Sequence, residues 1–139
     1  MRKLKVLYID DEANTEKFAS KIDILRYEGI DVESVYLLQE VLEKIRQLKN
    51  EIDLIILDII MPPEYYYTLE ETNGGTSTGI RLLQDIRSEF PTIPIMIVSI
   101  RRREIDDKII KKYNVVKYLE KPITALHIVS AIKDIFEKG

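Results

Sequence analysis

Short apolar runs and helical stripes alternate along the chain. Leu4–Ile9 is a strand-like run, and Phe18, Ile22 and Leu25 follow at helical spacing before Gly29. Glycine suits a helix C-terminus because it takes positive φ without a Cβ clash. Asp31–Tyr36 reads as a second strand, and Leu38, Val41, Leu42, Ile45 and Leu48 form one helical stripe ending near Asn50. Leu54–Asp58 is apolar until its closing carboxylate, and Pro94–Ser99 is similarly apolar. Runs with no polar face predict strands buried on both sides of a parallel sheet. Ile80, Leu83, Ile86 and Phe90 predict a third helix, and Ile105, Ile109 and Tyr113 a fourth. Val115–Leu119 predicts a fifth strand, and Leu126, Val129, Ile132 and Phe136 a last helix.

That order predicts an α/β fold of five βα units. Right-handed crossovers then place helices on both faces of a doubly wound parallel sheet. Such sheets bind ligands at the carboxyl ends of their strands, beside the switch in strand order. One segment interrupts the rhythm. Between Pro62 and Gly79 runs PEYYYTLEETNGGTST, residues 63–78, too long for an ordinary βα connection. Its Asn73-Gly74-Gly75 is a strong turn signal.

Composition mainly excludes. A length of 139 residues suits one domain over residues 1–139. With no cysteine, disulfides, zinc thiolates and cysteine nucleophiles are ruled out, and a reducing cytoplasm fits. The basic start Met1–Lys5 runs quickly into Asp10, Asp11 and Glu12, unlike a translocation signal. The apolar runs are far too short to span a membrane. The expectation is a soluble cytoplasmic chain without membrane contact. A net charge of −3 gives no general pull toward nucleic acid, so none is expected to bind. Charge is nevertheless uneven: Arg101–Lys121 holds eight basic and four acidic residues, and Pro62–Gly79 three glutamates and no base.

The predicted strand ends carry the chemistry. Strand one ends in Asp10-Asp11, strand three in Asp58 and strand four in Ser99, and strand five leads to Lys121-Pro122. Parallel strands bring these groups to one rim. Read singly, Asp10 and Asp11 are helix caps, Asp58 a cap or turn former, Ser99 a turn residue and Lys121-Pro122 a loop dipeptide. Four such placements in order leave capping a poor account. Gathered carboxylates repel one another and raise their pKa values unless a cation joins them. Magnesium takes one or two carboxylates together with waters and a phosphate. The Lys121 ammonium and Ser99 hydroxyl would complete a cage in which a carboxylate attacks phosphorus.

These motifs resemble those of bacterial response-regulator receiver domains, over essentially the whole chain apart from residues 63–78. VLYIDDE resembles the first strand with its acidic pair, and LIILDIIMP the phosphoacceptor strand. IPIMIVS resembles the strand ending in a hydroxyl, and KYLEKPI the aromatic-x-x-Lys-Pro signature. The resemblance implies a flavodoxin-like, chemotaxis-regulator-like (βα)5 fold with strand order 2-1-3-4-5 and an extended loop between the third strand and the third helix. It implies Asp58 as phosphoacceptor, with magnesium held by Asp11, by Asp10 through water, by Asp58 and by the Ile60 carbonyl. Lys121 would pair with the phosphoryl oxygens and precede a cis proline. Ser99 would turn to the phosphoryl group, and Tyr118 would follow as the switch aromatic.

The implied function is a signalling switch fed by a sensor histidine kinase or phosphotransfer protein and read by an output domain or partner protein. It would catalyse its own phosphotransfer and slow self-dephosphorylation, with no metabolic substrate. The chain is expected to be either a stand-alone receiver or the receiver portion of a longer regulator. Two other classes remain open. A degenerate receiver would serve as a phosphorylation-independent binding module. An aspartyl phosphohydrolase would need a second acid two residues after Asp58, where Ile60 stands.

Some features depart from the family. The glycine that usually lies four residues after the proline matches Gly79, seventeen after Pro62, which leaves about thirteen extra residues. They read either as a tolerated loop or as a lid over Asp58. Ile100 stands where receivers carry a small residue. Arg101–Arg103 are unfavourable at a helix N-terminus, so Glu64, Glu70 and Glu71 are expected to fold toward them. Ile60 is expected to impede attacking water. His127 reads as a surface or core filler, and the tyrosine triplet as loop packing.

Overall fold

The computed structural model describes residues 3–58, 78–99 and 107–137. Five strands, β1 Lys5–Ile9, β2 Asp31–Val35, β3 Leu54–Asp58, β4 Ile95–Ser99 and β5 Val115–Glu120, alternate with five helices. The helices are α1 Glu16–Tyr27, α2 Leu38–Leu48, α3 Thr78–Glu89, α4 Asp107–Lys112 and α5 Ala125–Glu137. All strand pairs are parallel, in the order β2-β1-β3-β4-β5. Fold class and strand order are as the sequence implied. Of the fourth predicted stripe, Ile105 lies outside the described residues.

The strands β3 and β4 are buried at every residue, and β1 at all but its first. Alternate side chains of these three strands feed two cores. Leu7, Ile9, Ile55, Leu57, Ile95 and Ile97 pack toward α2 and α3. Val6, Tyr8, Ile56, Met96 and Val98 pack toward α1 and α5. Polar positions appear on the two edge strands, where one face meets less cover.

Local signals set the helix ends. Thr15 caps α1: its backbone is extended and its hydroxyl accepts from Phe18 N at 3.3 Å. Asp10 and Asp11 are therefore not needed as caps. At the other end Gly29 has φ +89°, while Gly29 N donates to Arg26 O and Ile30 N to Leu25 O. That pair of bonds is a Schellman motif, and it requires the left-handed residue. His127 is exposed and closes the start of α5: its N donates to Thr124 Oγ1 while its Nδ1 accepts from Thr124 N.

Two features were not legible in the pattern. Leu126, assigned to the buried stripe of the last helix, is 59% exposed, and the buried face is Ala125, Ile128, Val129 and Ile132. At about 100° per residue, Leu126 lies one step round from Ala125 and off the edge of that face. The second feature is Arg87. Its guanidinium donates to the carbonyls of Phe90 (3.0 Å), Ile93 (2.6 Å), Tyr113 (2.6 Å) and Asn114 (3.2 Å). One side chain thus ties the end of α3 to the turn between α4 and β5.

Candidate functional site

The parallel order puts the carboxyl ends of β1, β3, β4 and β5 along one edge. Asp10 follows β1 directly, and its N donates to Val35 O at 3.1 Å, prolonging the β1–β2 pairing. Its Oδ1 accepts from Glu12 N at 2.9 Å, which fixes one carboxylate oxygen and leaves Oδ2 facing the strand ends. Asp58 closes β3. Both carboxylates are buried, as is Ser99 at the end of β4.

Lys121 reaches this edge from beyond β5. Its backbone N donates to Ser99 O at 2.8 Å, and the peptide to Pro122 is cis, as the resemblance implied. Its Nζ lies 3.3 Å from Asp58 Oδ2 and 3.5 Å from Asp10 Oδ2. One ammonium therefore bridges two buried carboxylates on different strands. Burial would lower the Lys121 ammonium, but Asp58 and Asp10 outweigh it and hold the group above the ordinary lysine value.

Asp11 completes the acidic group. One carboxylate oxygen each from Asp10, Asp11 and Asp58 lies within 4.8 Å of the others. Burial, then the charge of Asp10, a shared hydrogen bond with Asp10, and the charges of Asp58 and Glu12 push Asp11 up to about 6. Burial and like charges that raise a carboxylate are offset when a further cation joins it. Three clustered oxygen donors beside a single lysine fit a hard divalent cation. They offer nothing to a soft metal.

Ser99 and Tyr118 belong to the other face of the sheet. The β4–β5 register shifts between Ile95, paired with Val115, and Met96, paired with Lys117. That extra residue, the exposed Val116, reverses the alternation along β5. Tyr118 consequently pairs with Ile97 and packs with the α2–α3 core, while Leu119 packs with the α1–α5 core. Ser99, two residues after Ile97, shares the face of Tyr118. The register thus puts Ser99 and Tyr118 on one face of the sheet.

The site residues Asp10, Asp11, Asp58 and Lys121 come together, with Ser99 beside them. Ile60, residues 63–77 of the insert 63–78, Ile100 and residues 101–103 lie outside the described residues, and Thr78 of the insert is the first residue of α3. Sequence reading missed Tyr8 and Lys21. Tyr8 is fully buried behind Asp10, and its hydroxyl has no partner among the described residues. Burial, then Asp10 and Asp58, hold that phenol well above its usual range. The Lys21 ammonium lies over the rings of Tyr8 and Phe18, at 5.6 and 5.4 Å. Its only sequence signal is position: three residues after Phe18, it flanks the buried stripe of α1.

An acidic cluster and one lysine at the carboxyl edge of a doubly wound sheet mark a class of α/β domains that act at a strand-order switch point. This chain belongs to the response regulator receiver domain family, which residues 6–133 match. It is 32% identical over 130 residues to the regulatory protein VanR of Enterococcus faecium. That stretch is 93% of this chain and 48% of VanR, so the chain spans about half the length of this relative. Among solved structures it resembles a CheY-like receiver domain protein of Methanospirillum hungatei JF-1, with TM-score 0.73 and 23% identity. The alignment covers 98% of this chain and 95% of the other. The receiver domain of Francisella response regulator 1452 matches with TM-score 0.72 and 24% identity, over 97% and 98% of the two chains. These likenesses show the fold. Phosphorylation-dependent switching is the general function of the family, and its members generally bind magnesium at an acidic pocket. No helix among the described residues is long and apolar enough to cross a membrane.

Proposed function

We propose that this chain is a switch that accepts a phosphoryl group on Asp58 in a magnesium-dependent reaction and relays it as a change of shape. The observation that carries this reading is the Lys121 ammonium held 3.3 Å from Asp58 and 3.5 Å from Asp10. The donor is a phosphohistidine of a sensor kinase or phosphotransfer protein, and an output domain or partner protein reads the result. An Asp58 carboxylate oxygen forms the bond to phosphorus, the phosphorus–nitrogen bond of the donor breaks, and the imidazole leaves. Asp10, Asp11 and Asp58 would hold magnesium, which when bound neutralises charge on the phosphoryl oxygens.

The other residues act directly. Lys121 orients the Asp58 carboxylate before transfer and pairs with a phosphoryl oxygen afterwards. The Glu12 amide holds Asp10 so that one oxygen stays turned to the site. Phosphorylation adds about −1.5 to −2 charges and new acceptors at the end of β3. The Ser99 hydroxyl turns toward them, and Tyr118, on the same face, follows into the space. The α4–β5 surface then changes as a two-state equilibrium biased by phosphate.

Acetyl phosphate with magnesium, followed by intact mass, tests the reading. Wild-type protein should gain one phosphoryl group, while Asp58→Asn or wild type in EDTA should gain none. A wild-type chain that stays unmodified overturns the proposal and leaves a binding module.

A further inference from the structure

A cavity of about 330 Å³ opens between α1 and the turn after β5. Its floor is apolar, formed by Phe18, Pro122 and Ile123. Its charged lining residues are Lys17, Lys21 and Lys121 and one acid, Glu12. The volume is at the lower end of the range for small-molecule sites, about 300–1,000 Å³. An apolar floor with a few convergent charges is also the make-up of such sites.

Two of the three cations make no ion pair among the described residues. Lys121 is engaged by Asp58 and Asp10. Lys21 is half-buried, yet neither it nor Lys17 has a carboxylate within ion-pair distance among the described residues. The Lys21 ammonium lies over two aromatic faces, and such contacts are weak beside an ion pair. Burial, then repulsion by Lys121, lowers its ammonium, although Asp10, Glu12 and Asp58 act in the opposite direction. A partly desolvated cation without a counter-ion is unfavourable unless something supplies the charge.

We infer that this cavity binds a small organic phosphate: a dianionic head between Lys17 and Lys21, and an apolar body on Phe18, Pro122 and Ile123. Two ammonium groups with no ion pair among the described residues match the two charges of a phosphate monoester. The site is distinct from the acidic cluster but shares a wall with it, because Lys121 lines the cavity while bonding Asp58. A bound phosphate would thus compete with the carboxylates for Lys121 and reach the phosphoacceptor through that one side chain. The inference does not depend on phosphorylation of Asp58.

Phenyl phosphate is the probe, titrated into the full chain and followed through backbone amide shifts. EDTA is present so that no divalent ion draws the phosphate to the acidic cluster. Saturable shifts should centre on Glu12, Phe18, Lys21 and Ile123. Inorganic phosphate and benzyl alcohol, each carrying half of the chemistry, should both bind more weakly. Lys21→Gln should weaken phenyl phosphate at least about tenfold, the loss of one charge-assisted contact. Lys17→Gln, at an exposed position that tolerates change, should weaken it severalfold even if Lys21→Gln folds poorly. Lys44→Gln on α2 should bind as wild type. Absence of saturation, shifts centred elsewhere, or wild-type affinity in both lysine variants overturns the inference. So does binding of an acidic or phosphorylated peptide where phenyl phosphate fails.

Discussion

Asp11→Asn is expected to stabilise the metal-free protein and, in the same variant, to remove its response to magnesium. Asp11 sits against Asp10 with Asp58 and Glu12 close by, and burial and these charges raise it from an ordinary 3.8 to about 6. In full, that difference corresponds to ~3 kcal/mol favouring the protonated form. Asp11 is partly exposed, so solvent screening reduces this to about 1 kcal/mol. The folded state holds the Asp11 proton more tightly than the unfolded chain does. This contribution is therefore full below about pH 4, falls as pH rises from about 4 to 6, and is gone above. Asparagine keeps the size of the side chain, carries no charge, and can donate to Asp10 where an ionised Asp11 cannot.

Thermal unfolding in EDTA is the assay. At pH 7.5 the variant should melt about 3 °C above wild type, the shift that about 1 kcal/mol produces in a domain of this size. At pH 4 the difference should almost vanish, because wild-type Asp11 is then protonated. With magnesium at ten times its dissociation constant, wild type should gain about 1.4 kcal/mol. The variant should gain little, having lost one of three clustered donors. A variant less stable than wild type in EDTA at pH 7.5, or one with the same pH dependence, would refute the reasoning.

Three further outcomes test the surroundings of the site. Arg87→Met removes four hydrogen bonds to carbonyls at the α3 and α4 ends and should cost about 2–4 kcal/mol, read by urea unfolding. A loss below about 0.5 kcal/mol would mean that solvent replaces those bonds. Tyr8→Phe deletes a buried hydroxyl that has no partner among the described residues, and should leave stability unchanged or raise it by up to about 1 kcal/mol. A clear loss by the same measurement would mean the hydroxyl is satisfied. Gly29→Ala meets open space but forces φ +89°, and should destabilise by about 1 kcal/mol, seen as a lower melting temperature.

The acidic cluster was legible because parallel strands are a strong constraint. Once Leu54–Asp58 and Pro94–Ser99 are read as doubly buried, their carboxyl ends must share an edge, and Asp10, Asp58 and Lys121 meet there. Nothing in periodicity, however, distinguishes Leu126 from Ala125, since a stripe of apolar residues tolerates a phase error of one position. The aim of Tyr118 depends on the residue inserted into β5 at Val116, and a one-residue shift in register leaves no mark on composition. Arg87 was hidden for another reason: its partners are backbone carbonyls, which every sequence possesses.

Lys21 shows where such reading stops and what replaces it. In the sequence it is one of the two lysines of α1. In the fold it is a half-buried ammonium lying over two aromatic rings and lining the cavity that Lys121 also lines. The acidic cluster has three carboxylates and one bonded lysine, and the neighbouring cavity has two lysines and one carboxylate besides that same Lys121. Excess negative charge on one side and excess positive charge on the other favour ligands of opposite sign, a cation and an anion. Lys121 stands between them, so its position is the quantity that both ligands would move.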